Sequence, residues 1–247
     1  MNLQERAKSL GLLGVVQNWS AVCEQPWLEN IIVWEETARQ ERSLQSRIEA
    51  AKLPRFKSMT DFDWQWPTKI DRDAVEDLFS LRWINDGTNV VVVGPNGVGK
   101  TMIVQNLVYQ TLLSGHTARF ISASDLLNDL AQRANDNTLQ RRLRTYTRFE
   151  LLCIDEVGYL SYDNRHADLL FEIVTRRYGE SKSTVITTNK PFAEWNTVFP
   201  NAASVVTLVD RLVHRAEIIG VHGKSYRAKE SQERIAARAK LRAGKKS

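Results

Sequence analysis

Eight consecutive residues, Gly94-Pro95-Asn96-Gly97-Val98-Gly99-Lys100-Thr101, constrain the fold of this chain more than any other stretch. Their spacing is G-x-x-x-x-G-K-[ST], the pattern of a phosphate-holding P-loop. Such a loop works between a strand and a helix, and the flanking sequence offers both. Asn89 to Val93 is an apolar, β-branched run that reads as a buried strand. Thr101 to Leu113 reads as a helix of low charge, carrying Met102, Val104, Leu107, Val108 and Leu112.

The glycines let backbone N–H groups turn inward around a phosphate, where side chains would obstruct them. The helix that follows sets its positive end beneath the anion. The expected cradle is Gly94, Pro95, Asn96, Gly97, Val98, Gly99, Lys100, Thr101 and Met102. Lys100 would reach the β- and γ-phosphates, and Thr101 would offer its hydroxyl to Mg²⁺. The bland alternative is a glycine turn that binds nothing, which the flanking strand and helix weigh against.

A second constellation lies downstream. Leu151-Leu152-Cys153-Ile154-Asp155-Glu156 is a buried strand ending in two acids. Ligand sites of parallel α/β sheets lie at that carboxyl edge. Asp155 suits Mg²⁺ and Glu156 suits a base that orients the attacking water. The strand from Thr184 to Thr188 ends in Asn189. Asn189 could contact the γ-phosphate or the water, or it could simply form a turn before Pro191.

Composition narrows the remaining classes. The net charge of +5 is uneven: residues 224–247 hold nine Lys or Arg and two Asp or Glu, leaving 25 basic and 27 acidic residues in 1–223. A basic end suits a polyanion such as DNA, or serves only solubility. No signal peptide or bilayer-long apolar run is visible, so no membrane partner is expected. Cys23 and Cys153 make no disulfide framework, and His116, His166, His214 and His222 show no metal-ligand spacing. A reducing cytoplasm is therefore expected.

Four regions are expected. A small helical N-terminal domain spans 1–52, with a long, highly charged helix from Val33 to about Lys52. An aromatic-rich linker, 53–68, would pack Phe56, Phe62 and Trp64 onto the next domain. The P-loop domain covers 69–223, and a basic tail covers 224–247, weakly helical from Ile235 to Arg242. Within the P-loop domain, Asp71 would cap one helix running to about Ile84, and Ser124 would cap another.

This motif order resembles the AAA+ ATPases, and within them the helicase-loader and initiator group. It is most similar to the IstB-type helper ATPases of insertion sequences. The resemblance rests on Ala51-Lys52-Leu53-Pro54, Phe62-Asp63, the P-loop and Ile154-Asp155-Glu156-Val157-Gly158-Tyr159. It continues through Arg177-Tyr178, Thr187-Thr188-Asn189-Lys190-Pro191-Phe192-Ala193-Glu194-Trp195, Asp210-Arg211-Leu212-Val213-His214-Arg215 and Gly223-Lys224-Ser225-Tyr226-Arg227.

The resemblance implies an α/β, P-loop AAA+ three-layer fold with a parallel five-stranded sheet behind a helical N-terminal domain. It makes Lys100 and Thr101 Walker A, Asp155 and Glu156 Walker B, and Asn189 sensor 1. Arg211 would be an arginine finger acting across a subunit interface, with Arg215 as its backup. Arg141, Arg142, Arg144 and Arg148 fall where loaders and initiators touch DNA. The implied activity is ATP hydrolysis with Mg²⁺, by an ATP-dependent homo-oligomer on double-stranded DNA that recruits or stimulates a cognate transposase. A replicative helicase loader of DnaC-like type is the rival within the fold. A small-molecule kinase is the rival outside it. No helical lid with a cis-acting arginine is legible after Val221.

Overall fold

Alternation of aliphatic strands with amphipathic helices produces the layered body expected of such a chain. The structure, a computed structural model, describes residues 2–133, 136–159, 162–200 and 203–244. It divides into two compact units, Met1–Glu49 and Ala50–Ser247.

The first unit holds α1 (Leu3–Ser9), α2 (Leu13–Gln17), α3 (Trp19–Val22) and most of α4 (Leu28–Ala51). The side chain of Asn2 accepts the Glu5 N–H at 2.8 Å, and the Glu5 carboxylate accepts the Asn2 N–H at 2.9 Å, a reciprocal cap for α1. Ala7, Leu10, Leu28 and Ile32 form a small core. A two-pronged ion pair, Arg6 to Glu36 at 2.7 and 2.9 Å, ties α1 to α4.

The second unit runs α5 (Arg72–Leu78), α6 (Arg82–Asn85), β1 (Asn89–Val93), α7 (Lys100–Leu113), β2 (Ala118–Ser122), α8 (Ala123–Ala131) and α9 (Asp136–Thr147). It continues with β3 (Leu151–Val157), α10 (Asn164–Gly179), β4 (Ser183–Thr188), α11 (Trp195–Val198), α12 (Ser204–Val213), β5 (Ala216–Gly220) and α13 (Tyr226–Gly244). The five strands form one parallel sheet in the order β2-β3-β4-β1-β5. Ile121, Leu152, Ile154 and Ile186 meet a cluster from α8, α9, α10 and α12. Helix α7, with buried Ile103, Val104 and Leu107, contacts β2, β3 and β4 outside that cluster. Strand β4 therefore lies between the P-loop strand β1 and the acidic strand β3.

Three local expectations change. The helix after Asp71 breaks into α5 and α6, because buried Leu81 adopts a left-handed φ of 58°. Ser122, rather than Ser124, caps α8: its hydroxyl accepts the Asp125 N–H at 3.0 Å, since β2 runs straight into the helix. The tail is helical from Tyr226, well before Ile235. Lys245 and Lys246, expected among the tail's DNA-facing lysines, lie outside the described residues.

Candidate nucleotide-binding site

The P-loop leaves β1 at the carboxyl edge of the sheet, held on both sides. The Gly94 N–H donates to Thr188 O at 3.1 Å, and the Val221 N–H donates to Val93 O at 2.8 Å. Two glycines are required by their surroundings. Gly97 has φ 80°, and a Cβ there would stand 2.2 Å from Ser225 Oγ. Gly99 has φ 104°, and a Cβ there would strike the Phe62 ring at 2.5 Å. Gly99 also opens α7, so the helix begins at Lys100 with its free N–H groups at the loop.

Lys100 is only 4% exposed. Its Nζ donates to Gly94 O at 2.6 Å and Pro95 O at 2.8 Å. Burial pulls its ammonium down to about 8, with Arg227 adding to the depression and Asp155 and Glu156 opposing it. The Thr101 hydroxyl reaches Asp155 Oδ2 at 3.1 Å and Oδ1 at 3.2 Å. Asp155 also accepts from the Thr187 hydroxyl. Burial raises the Asp155 carboxyl above its ordinary range, against the pull of the Thr187 and Thr101 hydrogen bonds. Glu156 stands beside it with φ 65° and lines the cavity.

Asn189 emerges where β4 ends, between the P-loop and β3. Its Oδ1 is a buried side-chain oxygen with no hydrogen-bond partner among the described residues. Buried polar atoms are normally paired, so this oxygen stands out, although Asn189 is not among the residues that line the cavity over the loop.

A cavity of about 440 Å³ lies over the loop. Its floor is Gly97 to Met102, and Glu156 and Tyr159 stand at the β3 edge. The aromatic segment supplies Phe62, Trp66 and Pro67, and α13 supplies Tyr226, Arg227 and Glu230. The Tyr226 N–H donates to Gly97 O at 2.8 Å, and the Trp66 indole donates to Lys224 O at 2.8 Å. Lys229 sits over the Trp66 ring at 4.5 Å and bridges to Asp63 at 3.2 Å. Residues 53–68 are thus part of the cavity wall. Phe56 meets Tyr109 at 5.4 Å, the Phe62 ring lies against Gly99, and Arg72 sits 5.0 Å over the Trp64 ring, so all three aromatics expected to pack onto the next domain do so.

Arg227 was missed as a site residue. It sits on the first turn of α13 and lines the same cavity as Lys100 and Glu156, which places a cationic side chain on the C-terminal side of the site. Its legible signal was the run Lys224-Ser225-Tyr226-Arg227. Local helix patterning there is weak, and only the docking of Tyr226 on the P-loop and Trp66 starts the helix so early.

The remaining expected residues lie elsewhere. Arg211 leans on α10: it donates to the Thr175 hydroxyl and lies 4.9 Å over the Phe171 ring, outside its own chain's cavity. Arg215 is exposed. Arg141, Arg144 and Arg148 are exposed, at spacings of three and four on and just past α9. Arg142 is instead bound to Asp129 and the Tyr146 hydroxyl, which ties α9 to α8.

The IstB-like ATP binding protein family matches residues 3–234. The chain belongs to that family. It is 33% identical over 221 residues to a Bacillus thuringiensis subsp. berliner protein of insertion sequence IS232 named for ATP binding, covering 88% of each chain. It is 31% identical over 239 residues to the corresponding IS5376 protein of Geobacillus stearothermophilus, covering 93% of this chain and 95% of that one. Among solved structures, the DnaI structure aligns with a TM-score of 0.54 at 18% identity, over 72% of this chain and 92% of that chain. The DnaC helicase loader aligns at 0.50 and 20% identity, over 60% and 85%. These two likenesses establish the fold. The family member is an AAA+ P-loop ATPase that binds ATP, and the small-molecule kinase reading falls away. No helix among the described residues is long and apolar enough to cross a membrane.

Proposed function

We propose that this ATPase assembles as an ATP-bound oligomer on double-stranded DNA and there recruits or stimulates the transposase of an insertion sequence. Hydrolysis then releases or remodels the assembly. What supports the insertion-sequence role is the membership just described, with relatives named for such elements across most of their length.

Within the site, the P-loop N–H groups and Lys100 bind the β- and γ-phosphates. Asn189 Oδ1 and Glu156 face the attacking water, with Glu156 as base. Thr101 and Asp155 are the residues that would hold Mg²⁺, which neutralises charge on the phosphates. Their oxygens suit a hard cation, and the described residues offer no cluster of three His, Cys, Asp or Glu. A metal there takes its other ligands from phosphate and water, as Mg²⁺ commonly does. Arg211 reaches a neighbour's γ-phosphate once subunits meet. Two unpaired cysteines fit a reducing cytoplasm.

The observation that carries the DNA reading is the exposed row Arg141, Arg144 and Arg148. Arg142, held by Asp129, is a less accessible phosphate contact. The row offers cations to a backbone, without a base-reading module. The test uses Glu156→Gln protein with ATP, Mg²⁺ and a random-sequence duplex, followed by electron microscopy and by titration against salt. The expected result is an ATP-dependent multi-subunit complex whose affinity falls steeply with salt. Replacing the three arginines by alanine lowers the salt slope by about 2–3, roughly 0.9 per lost phosphate contact. An unchanged slope removes this face from the reading, and no DNA complex at any salt removes the reading itself.

A further inference from the structure

Strands β3 and β4 run in register from Leu151 opposite Ser183 to Ile154 opposite Ile186, and resume at Val157 opposite Thr188. Between those pairs, two residues of β3, Asp155 and Glu156, face one residue of β4, Thr187. This is a β-bulge in a parallel pair, a rare arrangement that re-aims side chains beside active sites. It carries Glu156 in the left-handed region at φ 65°, which non-glycine residues seldom adopt.

The bulge takes the Glu156 N–H out of the regular ladder. That N–H donates instead to Thr187 Oγ1 at 2.8 Å. The same hydroxyl donates to Asp155 Oδ1. The direction of both bonds is fixed by chemistry. A backbone N–H can only donate, so the Thr187 oxygen accepts there and its single proton is committed to the carboxylate. Thr187 has no solvent exposure, so water offers no substitute. The neighbouring Thr188 acts elsewhere. Its hydroxyl closes the turn at Lys190 through the N–H and carbonyl of that residue, both at 3.1 Å.

We propose that Thr187 is the positioning residue of the hydrolytic step: one buried hydroxyl holds the backbone of Glu156 in its bulge and couples it to the Asp155 carboxylate. The inference rests on the reading of Glu156 as the base. Without the hydroxyl, the Glu156 N–H loses its partner, and the peptide turns to find another acceptor. The Glu156 side chain then leaves the direction in which it faces the cavity. Phosphate binding is made by the P-loop and Lys100, so it is unaffected. The loss falls on turnover and spares affinity.

The test compares Thr187→Val, Thr187→Ser, Glu156→Gln and the double variant Glu156→Gln/Thr187→Val, with duplex DNA present. Each is measured for hydrolysis rate and for binding of a fluorescent ATP analogue. Thr187→Val should lose about ten- to a hundredfold in kcat with its Kd within about threefold. Thr187→Ser, which restores the hydroxyl, should return kcat to within about threefold. In the Glu156→Gln background, Thr187→Val should change the residual rate by less than about threefold, because residues acting as a unit are not additive.

Parental kcat in Thr187→Val overturns the inference, as does a serine variant that folds and is as slow as valine. A full further loss in the double variant also overturns it. If Thr187→Val does not fold, Thr187→Ala replaces it in both backgrounds, and the folded serine variant still decides. A parental rate in Glu156→Gln removes the base reading and this inference with it. A slow Glu156→Gln beside a parental Thr187→Val removes this inference alone.

Discussion

ATP affinity should fall as pH rises through the Lys100 titration. Lysine in water titrates near 10.4. In this fold, burial brings Lys100 to about 8, because its ammonium is removed from water and met chiefly by the Gly94 and Pro95 carbonyls. A bound γ-phosphate supplies the missing counter-charge and restores the high value. Binding therefore takes up a proton wherever the nucleotide-free amine has lost one. At pH 9 about one molecule in ten still carries it, so ATP binds about tenfold more weakly than at pH 7, a difference of about 1.4 kcal/mol. Stability runs the other way. Between about 8 and 10.4 the unfolded chain binds more protons at this position than the fold does, so the nucleotide-free protein gains stability there as pH rises.

The assay is titration with a fluorescent ATP analogue at pH 7, 8 and 9 with saturating Mg²⁺, in the parental protein and in Lys100→Met. Burial and Glu156 both raise the Tyr159 phenol, away from this window. The methionine variant should bind weakly at every pH, without the slope. Arg227→Ala should move the midpoint upward, because Arg227 helps depress Lys100. A parental affinity that changes less than about twofold from pH 7 to pH 9 refutes the reasoning.

Two further perturbations test the subunit contact and the scaffold. Mixing inactive Lys100→Ala with inactive Arg211→Ala should partly restore hydrolysis, since some interfaces then pair an intact P-loop with an intact arginine; a finger supplied in trans is worth about 10³–10⁵ in rate. No recovery from proteins that still assemble rejects that role for Arg211. Arg177 is fully buried, and its guanidinium donates to the carbonyls of Phe149 at 2.8 Å, Glu150 at 3.1 Å and Ser183. Arg177→Met leaves these three carbonyls without the guanidinium and should cost at least about 3 kcal/mol in urea unfolding, at roughly 1–3 kcal/mol for each unpaired group. A cost under about 1 kcal/mol would mean that water replaces the guanidinium.

The candidate site was legible wherever its residues are adjacent in sequence. A phosphate cradle is built from consecutive backbone N–H groups, so a P-loop must appear as one unbroken spacing between a strand and a helix. The apolar run ending in Asp155 and Glu156 was legible for the same reason, since a buried strand and its carboxyl-edge acids are contiguous. What depended on distant segments was not. The split of α5 from α6 at Leu81 carries no glycine or proline signal; that left-handed residue is held with its side chain buried. Ser122 took the cap because β2 ends one residue before α8 begins. Four arginines around α9 look alike in sequence, yet Asp129 on α8 claims Arg142 and leaves the other three exposed.

The same division runs through the candidate site. Identity and spacing sufficed to nominate Lys100, Thr101, Asp155, Glu156 and Asn189. Thr187 acquires its two hydrogen bonds only because β4 pairs beside β3 with one residue too few. Arg227 enters the cavity only because α13 docks its first turn on Gly97 and Trp66. Strand register and helix docking are settled by burial and backbone pairing between segments far apart in the chain, and no local spacing records them.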